Sequence, residues 1–201
     1  MLELLEKGGL LIYPIGLCSI LAVAIILERL WQLRRSRVVP EKVIRRVETR
    51  VLSGDVNGAM AVCETSKCAF SAIMLNALRL SGKSRALIKE SVEEAGQKEM
   101  VILERYLTLL GTIAAIAPLL GLLGTVLGMI KVFAVISTVG VGDPGVLAAG
   151  ISEALISTAA GLSVAIPTLV MHRHFQGVID RYAVELEHFS LIVVEHIKGY
   201  E

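Results

Sequence analysis

The chain of 201 residues is rich in apolar residues: 54% are hydrophobic, 19% are charged and 4% are aromatic. Soluble domains of this length usually have about a quarter of their residues charged, so the composition argues against a soluble enzyme. The formal net charge of +1 argues against a nucleic-acid-binding protein, which would carry a surplus of basic residues. The apolar content also excludes a disordered chain, and three cysteines are too few for a disulfide framework.

Three long runs with almost no charge account for the apolar excess. Residues 8–27 and 106–130 contain no charged side chain, and residues 144–171 contain one, Glu153. A helix needs about 20 apolar residues to cross the hydrocarbon core of a bilayer, and each run is long enough. The first run is not a secretory signal peptide, because its leader is acidic rather than basic. The sequence therefore predicts an all-α integral membrane protein with three transmembrane helices.

Flanking charge predicts the orientation of these helices. Eight Lys or Arg residues lie between positions 29 and 50, whereas residues 132–145 contain no basic residue. The positive-inside rule then predicts that the N-terminus is outside and the C-terminus inside, with Lys131 snorkelling toward the outer surface. In chain order, the predicted segments are a periplasmic N-terminus, the first transmembrane helix, a cytoplasmic helical region, the second transmembrane helix, a periplasmic loop, the third transmembrane helix and a cytoplasmic C-terminal helix, at residues 1–7, 8–27, 28–105, 106–135, 136–143, 144–171 and 172–201.

The polar remainder is predicted to form long helices beneath the membrane. The 28–105 segment is expected to break at residues 53–55 and 81–84, and Ser84 to cap a helix that runs directly into the second span. After the third span, apolar residues at alternating spacings of four and three predict that the helix continues. This pattern fits either a coiled-coil seam or an amphipathic helix packed on the 28–105 segment. Its members are Phe175, Ile179, Tyr182, Leu186, Phe189 and Val193.

No cluster of residues indicates an enzyme, a cofactor site or a metal site. Cys63 and Cys68 lie five positions apart without a nearby histidine pair, which is a poor pattern for zinc. His172 and His174 are expected to be polar anchors at the inner end of the third span. Because no Gly-rich phosphate loop and no serine–histidine pair is present either, we predict a protein that is not an enzyme, with no cofactor and no metal.

One face of the second span consists almost entirely of small residues. These residues lie within about 60° of Gly121 on a helical wheel, while leucine and isoleucine cover much of the remainder. Small faces let membrane helices approach closely, and the Gly124-x-x-x-Gly128 spacing is typical of such contacts. We expect this face to pack helices together and to meet a partner helix or line a narrow passage. Its members, called the small stripe below, are Ala114, Ala117, Pro118, Gly121, Gly124, Thr125 and Gly128.

The third span has a face centred on Glu153, which includes Ser157 and the small residues Ala149 and Ala160. A charged residue at the centre of a membrane helix costs about 2.5–3.5 kcal/mol on insertion scales, so such residues usually face a cavity or carry protons. The alternative is a protonated glutamate that hydrogen-bonds between helices for assembly. Counted from the predicted helix ends, Glu153 lies about 13 Å deep and Thr125 about 15 Å, so the two are expected to meet.

Two motifs in the second and third spans carry a resemblance. Residues 117–128 read APLLGLLGTVLG, and residues 150–162 read GISEALISTAAGL, with Ala165-Ile166-Pro167 following. In this order and separation they resemble the second- and third-helix motifs of the MotA/TolQ/ExbB proton-channel family. The three-helix topology with a large cytoplasmic loop is similar too, and three spans rather than four favour the ExbB/TolQ branch.

The resemblance implies a subunit of a motor driven by the proton-motive force in the bacterial inner membrane. Similar proteins form a homopentamer around a dimer of single-span ExbD/TolR-like partners, and deliver work to a TonB- or TolA-like protein in protein transport or envelope maintenance. Carried over position by position, the family's pore residues are Thr125, Glu153 and Thr158. On an ideal helix Thr158 lies about 140° from Glu153, whereas Ser157 shares its face, so the choice between these two hydroxyls stays open.

A structural membrane scaffold, which would use the small faces for assembly without moving protons, is the alternative function. A solute transporter is disfavoured, because the chain has no inverted repeat and one ionisable residue at depth. In every case the expected surroundings are membrane lipid and other protein chains, with no nucleic acid. A neighbouring gene for a short single-span protein with one membrane aspartate would favour the motor over both alternatives.

Overall fold

The computed structural model describes residues 9–139 and 144–198, and every regular element in these ranges is a helix. The predicted N-terminal segment, residues 1–7, and residues 140–143 of the predicted periplasmic loop lie outside the described residues. The all-α prediction is confirmed. In chain order the helices are α1 (Ile12–Gln32), α2 (Arg35–Val38), α3 (Glu41–Leu52), α4 (Val56–Thr65), α5 (Ala69–Arg79), α6 (Arg85–Leu103), α7 (Leu107–Val139) and α8 (Pro144–Lys198).

Three helices in the described part of the chain are long and apolar enough to cross a membrane. The candidate spans are Ile12–Gln32, Leu107–Ser137 and Leu147–Ile197. Only 22% to 28% of the most apolar window of each helix is buried within the chain. The remaining apolar surface needs lipid or another polypeptide to cover it, and the prediction of three membrane helices is confirmed.

The helix ends differ from the predicted ones in four places. Helix α1 begins at Ile12 rather than at residue 8, because Gly9 has a positive φ and a turn follows it. Helix α1 continues to Gln32 and α7 to Val139, because neither predicted end contains a glycine or proline that would stop the helix. The predicted continuous helix into the second span is wrong, since α6 ends at Leu103 and α7 begins at Leu107. Tyr106 between them has φ 64°, a left-handed conformation that interrupts a right-handed helix.

The described residues divide into two compact units. The first takes in the residues up to Leu27 and from Tyr106 to Arg173, and the second those from Glu28 to Arg105 and from His174 onward. Helices α1 and α8 each contribute to both units. The two breaks predicted in the 28–105 segment are present, between α3 and α4 and between α5 and α6, although the Ser84 side chain makes no capping hydrogen bond.

The second half of α8 packs on the helices of its own unit. Five of the six predicted seam residues are buried, and Phe189 packs edge-on against Phe70 with the ring centroids 6.4 Å apart. The hydroxyl of Tyr182 donates a hydrogen bond to the backbone oxygen of Leu33 at 2.8 Å. Arg35 also lies 3.5 Å from Glu185. The seam is therefore used within the chain, as the amphipathic-helix alternative predicted. The five buried residues are Phe175, Ile179, Tyr182, Leu186 and Val193.

We expect Tyr182→Phe to lower the free energy of unfolding of the second unit by about 1–3 kcal/mol, because it leaves the buried Leu33 carbonyl without its donor. Thermal unfolding of the purified chain in detergent would measure the change. Tyr13→Phe is the matched control, since Tyr13 is exposed on α1 and should change the stability by less than about 0.5 kcal/mol. Equal stability of the two variants would contradict a role for this hydrogen bond.

Candidate functional site

Helices α7 and α8 pack against each other through glycines that cannot be replaced without moving the backbone. A Cβ added at Gly161 would lie 2.6 Å from the backbone oxygen of Ala117. A Cβ added at Gly121 would lie 3.0 Å from the backbone oxygen of Ser157. Since the atoms that it meets are backbone atoms, no side chain can rotate away to make room. The small stripe thus serves a very close contact between two helices of the same chain.

The contact continues along both helices in antiparallel register. Gly124 lies against the Ser157 side chain, and a Cβ at Gly128 would lie 2.9 Å from that of Ala154. At the other end of the contact, a Cβ at Gly111 would lie 2.8 Å from the imidazole Nε2 of His172. Of the other four residues of the small stripe, Ala114 and Ala117 are buried, and Pro118 and Thr125 are half-buried.

The packing face of α8 is rotated from the one that the sequence predicted. Its buried residues follow helical spacing: Ala154, Ser157, Gly161, Ala165 and Thr168. Of the predicted neighbours of Glu153, Ala149 is exposed and Ala160 half-buried. The prediction centred the face on the charged residue, whereas the helices pack through the small residues beside it. At its glycines the small stripe is already covered by α8, so a partner helix could contact the stripe only along its edges. The partner-facing role of these residues stays a prediction.

The hydroxyl groups of the predicted pathway bond to backbone oxygens. Thr158 donates across the contact to the backbone oxygen of Gly121 at 3.0 Å. Ser157 is buried and donates to the backbone oxygen of Glu153 at 3.1 Å. Thr125 donates to the backbone oxygen of Leu122 at 2.6 Å, in its own helix. Ser157 and Thr158 thus both lie at the α7–α8 contact, and Thr158 joins the two helices directly.

Glu153 forms an ion pair with Lys131, which the sequence analysis did not predict. The ammonium Nζ of Lys131 lies 2.7 Å from Oε1 of Glu153, with 61% and 25% of the two side chains exposed. Lys131 therefore does not simply snorkel away from the membrane. The predicted end of the second span at residue 135 hid this pair, because it placed Lys131 only four residues from the end. In the structure, Lys131 lies eight residues before the end of α7 and Glu153 nine residues after the start of α8. In an antiparallel hairpin, equal distances from the ends place two residues side by side.

Thr125 and Glu153 do not lie at the same level of the hairpin. Gly124 faces Ser157 and Gly128 faces Ala154, so the residue level with Glu153 is close to Gly128 rather than to Thr125. The predicted meeting is wrong because α7 continues to Val139. Counted from that end, Thr125 is about 21 Å deep, at 1.5 Å per residue.

The chain that leads into α1 also reaches Glu153. Gly9 has φ +68°, and a Cβ added there would overlap Oε1 of Glu153. A side chain at this position would therefore be strained in its backbone and would displace the carboxylate. No periodic pattern in the sequence indicated this contact. Two other segments of the first unit, at Gly9 and at Lys131, thus contact the carboxyl group of Glu153.

The cysteines and histidines do not form a metal site in the described part of the chain. No group of three or more His, Cys, Asp or Glu residues there has the geometry to hold a metal ion. Burial raises the pKa of Cys63 to about 11, so its thiol is protonated at neutral pH. Cys68 instead lies 3.0 Å from the hydroxyl of Ser71. The Nδ1 atom of His172 is buried and has no hydrogen-bond partner, and His174 is exposed.

These features define a class of protein: a multi-helix membrane protein whose second and third spans form a tight hairpin with a lysine–glutamate contact on it. The profile of the MotA/TolQ/ExbB proton channel family matches residues 65–188. The chain therefore belongs to the MotA/TolQ/ExbB proton channel family, in its ExbB/TolQ branch. It is accordingly a membrane subunit of the proton-channel motor type.

Three similar proteins illustrate the relationship. The biopolymer transport protein ExbB-like 3 of Synechocystis sp. is 37% identical over 183 residues, which are 87% of this chain and 84% of that protein. The biopolymer transport protein exbB1 of Vibrio cholerae is 32% identical over 191 residues, covering 92% and 83% of the two chains. Among solved structures, C. jejuni MotAB has a similar fold, with a TM-score of 0.62 and 20% identity over 97% of this chain and 78% of that one.

We expect Gly161→Ala to destabilise the helix hairpin by about 1–3 kcal/mol, because the new methyl group would force α7 and α8 apart. Unfolding of the purified chain in mixed detergent micelles would measure the loss. Gly16→Ala in α1 is the matched control, since a Cβ there meets nothing within 4 Å. Equal unfolding of both variants would contradict the close approach of the two helices.

Thr158→Val should lower the free energy of unfolding by about 0.6–1.7 kcal/mol, because it removes a hydrogen bond between two membrane helices. Thr125→Val is the matched control, because it is the same substitution but removes only a hydrogen bond within one helix. It should change the free energy of unfolding by less than about 0.5 kcal/mol. The same unfolding assay compares the two. A larger effect at Thr125 would contradict the assignment of these bonds.

Proposed function

We propose that this chain is a subunit of an inner-membrane motor that is driven by the proton-motive force and conducts protons together with an ExbD/TolR-like single-span partner. The observation that carries the proposal is the Glu153–Lys131 ion pair, which joins the only charged side chains in described residues 107–139 and 144–171. Ionisable side chains in membrane spans usually mark ion or proton pathways. The family membership and the names of the similar transport proteins support the same conclusion.

In this proposal Glu153 exchanges protons or tunes the aspartate that the partner brings to the same level. Thr125, Ser157 and Thr158 line or shape the passage further along the hairpin. Thr158 acts through the hairpin, because its hydroxyl bonds the backbone oxygen of Gly121. A proton that crosses the membrane supplies about 2.3 kcal/mol per 100 mV, so sizeable mechanical work needs several protons.

The proposed assembly is a homopentamer around a dimer of the single-span partner, with the N-terminus outside and the C-terminus inside. The eight basic residues between positions 29 and 50 support this orientation. The exposed apolar surface of the three long helices supports assembly, since part of it can be covered by neighbouring copies and the rest by lipid. The work is proposed to reach a TonB- or TolA-like protein, for outer-membrane transport or envelope maintenance.

A non-conducting structural scaffold is the second candidate, and the α7–α8 contact favours it. The glycines of the small stripe are fully explained by close packing within the chain, without any passage for protons. The ion pair then serves only to hold the hairpin together. The two candidates differ in whether the complex of the chain and its partner conducts protons, and conduction through Glu153 needs its ionisable group.

Glu153→Gln should abolish proton conduction while the complex still assembles, because glutamine keeps the size and hydrogen bonding but cannot ionise. We expect proton uptake into vesicles that contain the full chain and its co-purified single-span partner to fall by about 100-fold or more. Glu90→Gln is the matched control, since Glu90 is exposed on α6. Thr125→Val should reduce uptake less. Absence of uptake by the unmodified complex would favour the scaffold, whereas full uptake in the Glu153 variant would contradict a role for Glu153 in conduction.

A further inference from the structure

The outer part of the α7–α8 hairpin carries a charged pair in surroundings that are otherwise apolar. Among described residues 9–27, 106–139 and 144–171, Lys131 and Glu153 are the only charged side chains. They lie on different helices, and their charged atoms are 2.7 Å apart. Within these described ranges, Lys131 is therefore the charged side chain that can balance Glu153.

The pair lies on the outside of the hairpin rather than inside it. Lys131 is 61% exposed, whereas the glycines that join the helices are buried. Charged side chains within membrane spans almost always face water, a cavity or another polypeptide rather than lipid tails. Water in a passage or another polypeptide covers the pair. The carboxylate is thus open to proton exchange on one side and held by the ammonium on the other.

Gly9 restricts the carboxylate from a third direction. Because a Cβ at residue 9 would overlap Oε1 of Glu153, the backbone before α1 fits closely against the same oxygen that Lys131 contacts. Gly9 brings no charge, and α1 carries none up to Leu27. The position of the carboxylate is therefore set by packing against Gly9, and its charge is balanced by Lys131.

We propose that Lys131 is a positioning residue that holds the Glu153 carboxylate ionised and aimed at the exposed side of the hairpin. An opposite charge at this distance favours the ionised form of a carboxyl group. When Glu153 takes up a proton from water, the pair becomes a neutral acid beside an ammonium, and the attraction between α7 and α8 weakens. Each protonation would thus change the contact between the two helices. The effect of Lys131 on Glu153 does not depend on the proposed function. Only the contribution of this effect to a proton-driven motor rests on that function.

The charge balance can be tested without measuring proton conduction. Infrared spectra of the purified full chain at neutral pH report the protonated carboxyl group of Glu153, identified as the band that Glu153→Gln removes. We expect Lys131→Met to raise the ratio of protonated to ionised Glu153 by about tenfold or more, since it removes the opposite charge. Lys131→Arg should leave the band as in the unmodified chain, because arginine keeps the charge.

Two further variants control the experiment. Lys83→Met removes an exposed lysine in the turn before α6 and should leave the Glu153 band unchanged. Combining Lys131→Met with Glu153→Gln removes both charges, and should give a folded chain that elutes as the unmodified one does. If Lys131→Met alone does not fold, Lys131→Gln is measured in its place. An unchanged Glu153 band in the neutral variant that folds would overturn the proposal.

Proton uptake into vesicles then separates this inference from the proposed function. We expect Lys131→Met to lower uptake by about tenfold and Lys131→Arg to retain most of it, in keeping with a role for the charge. If the unmodified complex conducts no protons, the proposed function fails, while the infrared result still decides whether Lys131 holds Glu153 ionised. An increased Glu153 band in Lys131→Met would support the inference in either case.

Discussion

Two helix backbones come as close as α7 and α8 only where side chains are missing. The glycines at 121 and 161 meet backbone atoms of the opposite helix, so the distance between the helices is set by the absence of a Cβ. Short separation brings the Gly121 carbonyl within reach of the Thr158 hydroxyl. It also fixes the register that places Lys131 beside Glu153. In a bilayer, where lipid competes for apolar surface, such close packing is a principal source of helix association.

The sequence predicted the three membrane helices and the close contact between the second and third, because both depend on local signals. Uncharged runs of sufficient length identify the spans, and a glycine spacing of four identifies a close helix contact. The breaks around Gly54 and Gly82 were predicted for the same reason, since both glycines have positive φ in the structure. The family motifs then supplied the residue positions that periodicity alone did not distinguish.

The remaining features depend on where the helices end and on contacts between distant residues. An error of four residues at the end of α7 was enough to pair Glu153 with Thr125 instead of placing it near Gly128. Centring the predicted α8 face on Glu153 rotated that face away from the residues that pack on α7. A charged side chain avoids the dry contact between helices, so the packing face is formed by the small residues beside it. The contact with Gly9 has no periodic signal, since it arises from a turn before the first helix.

The second unit draws its core from two segments that are far apart in the chain. Tyr182 bonds the carbonyl of Leu33, 149 positions earlier, and Phe189 packs on Phe70. Ribosomes release the N-terminal segment first, so this unit cannot close until α8 is complete. By then the whole of α7 has been synthesised, and its insertion can begin before the unit folds. During that interval the Phe70 ring lacks the Phe189 ring against which it packs in the folded unit, so its apolar surface is uncovered.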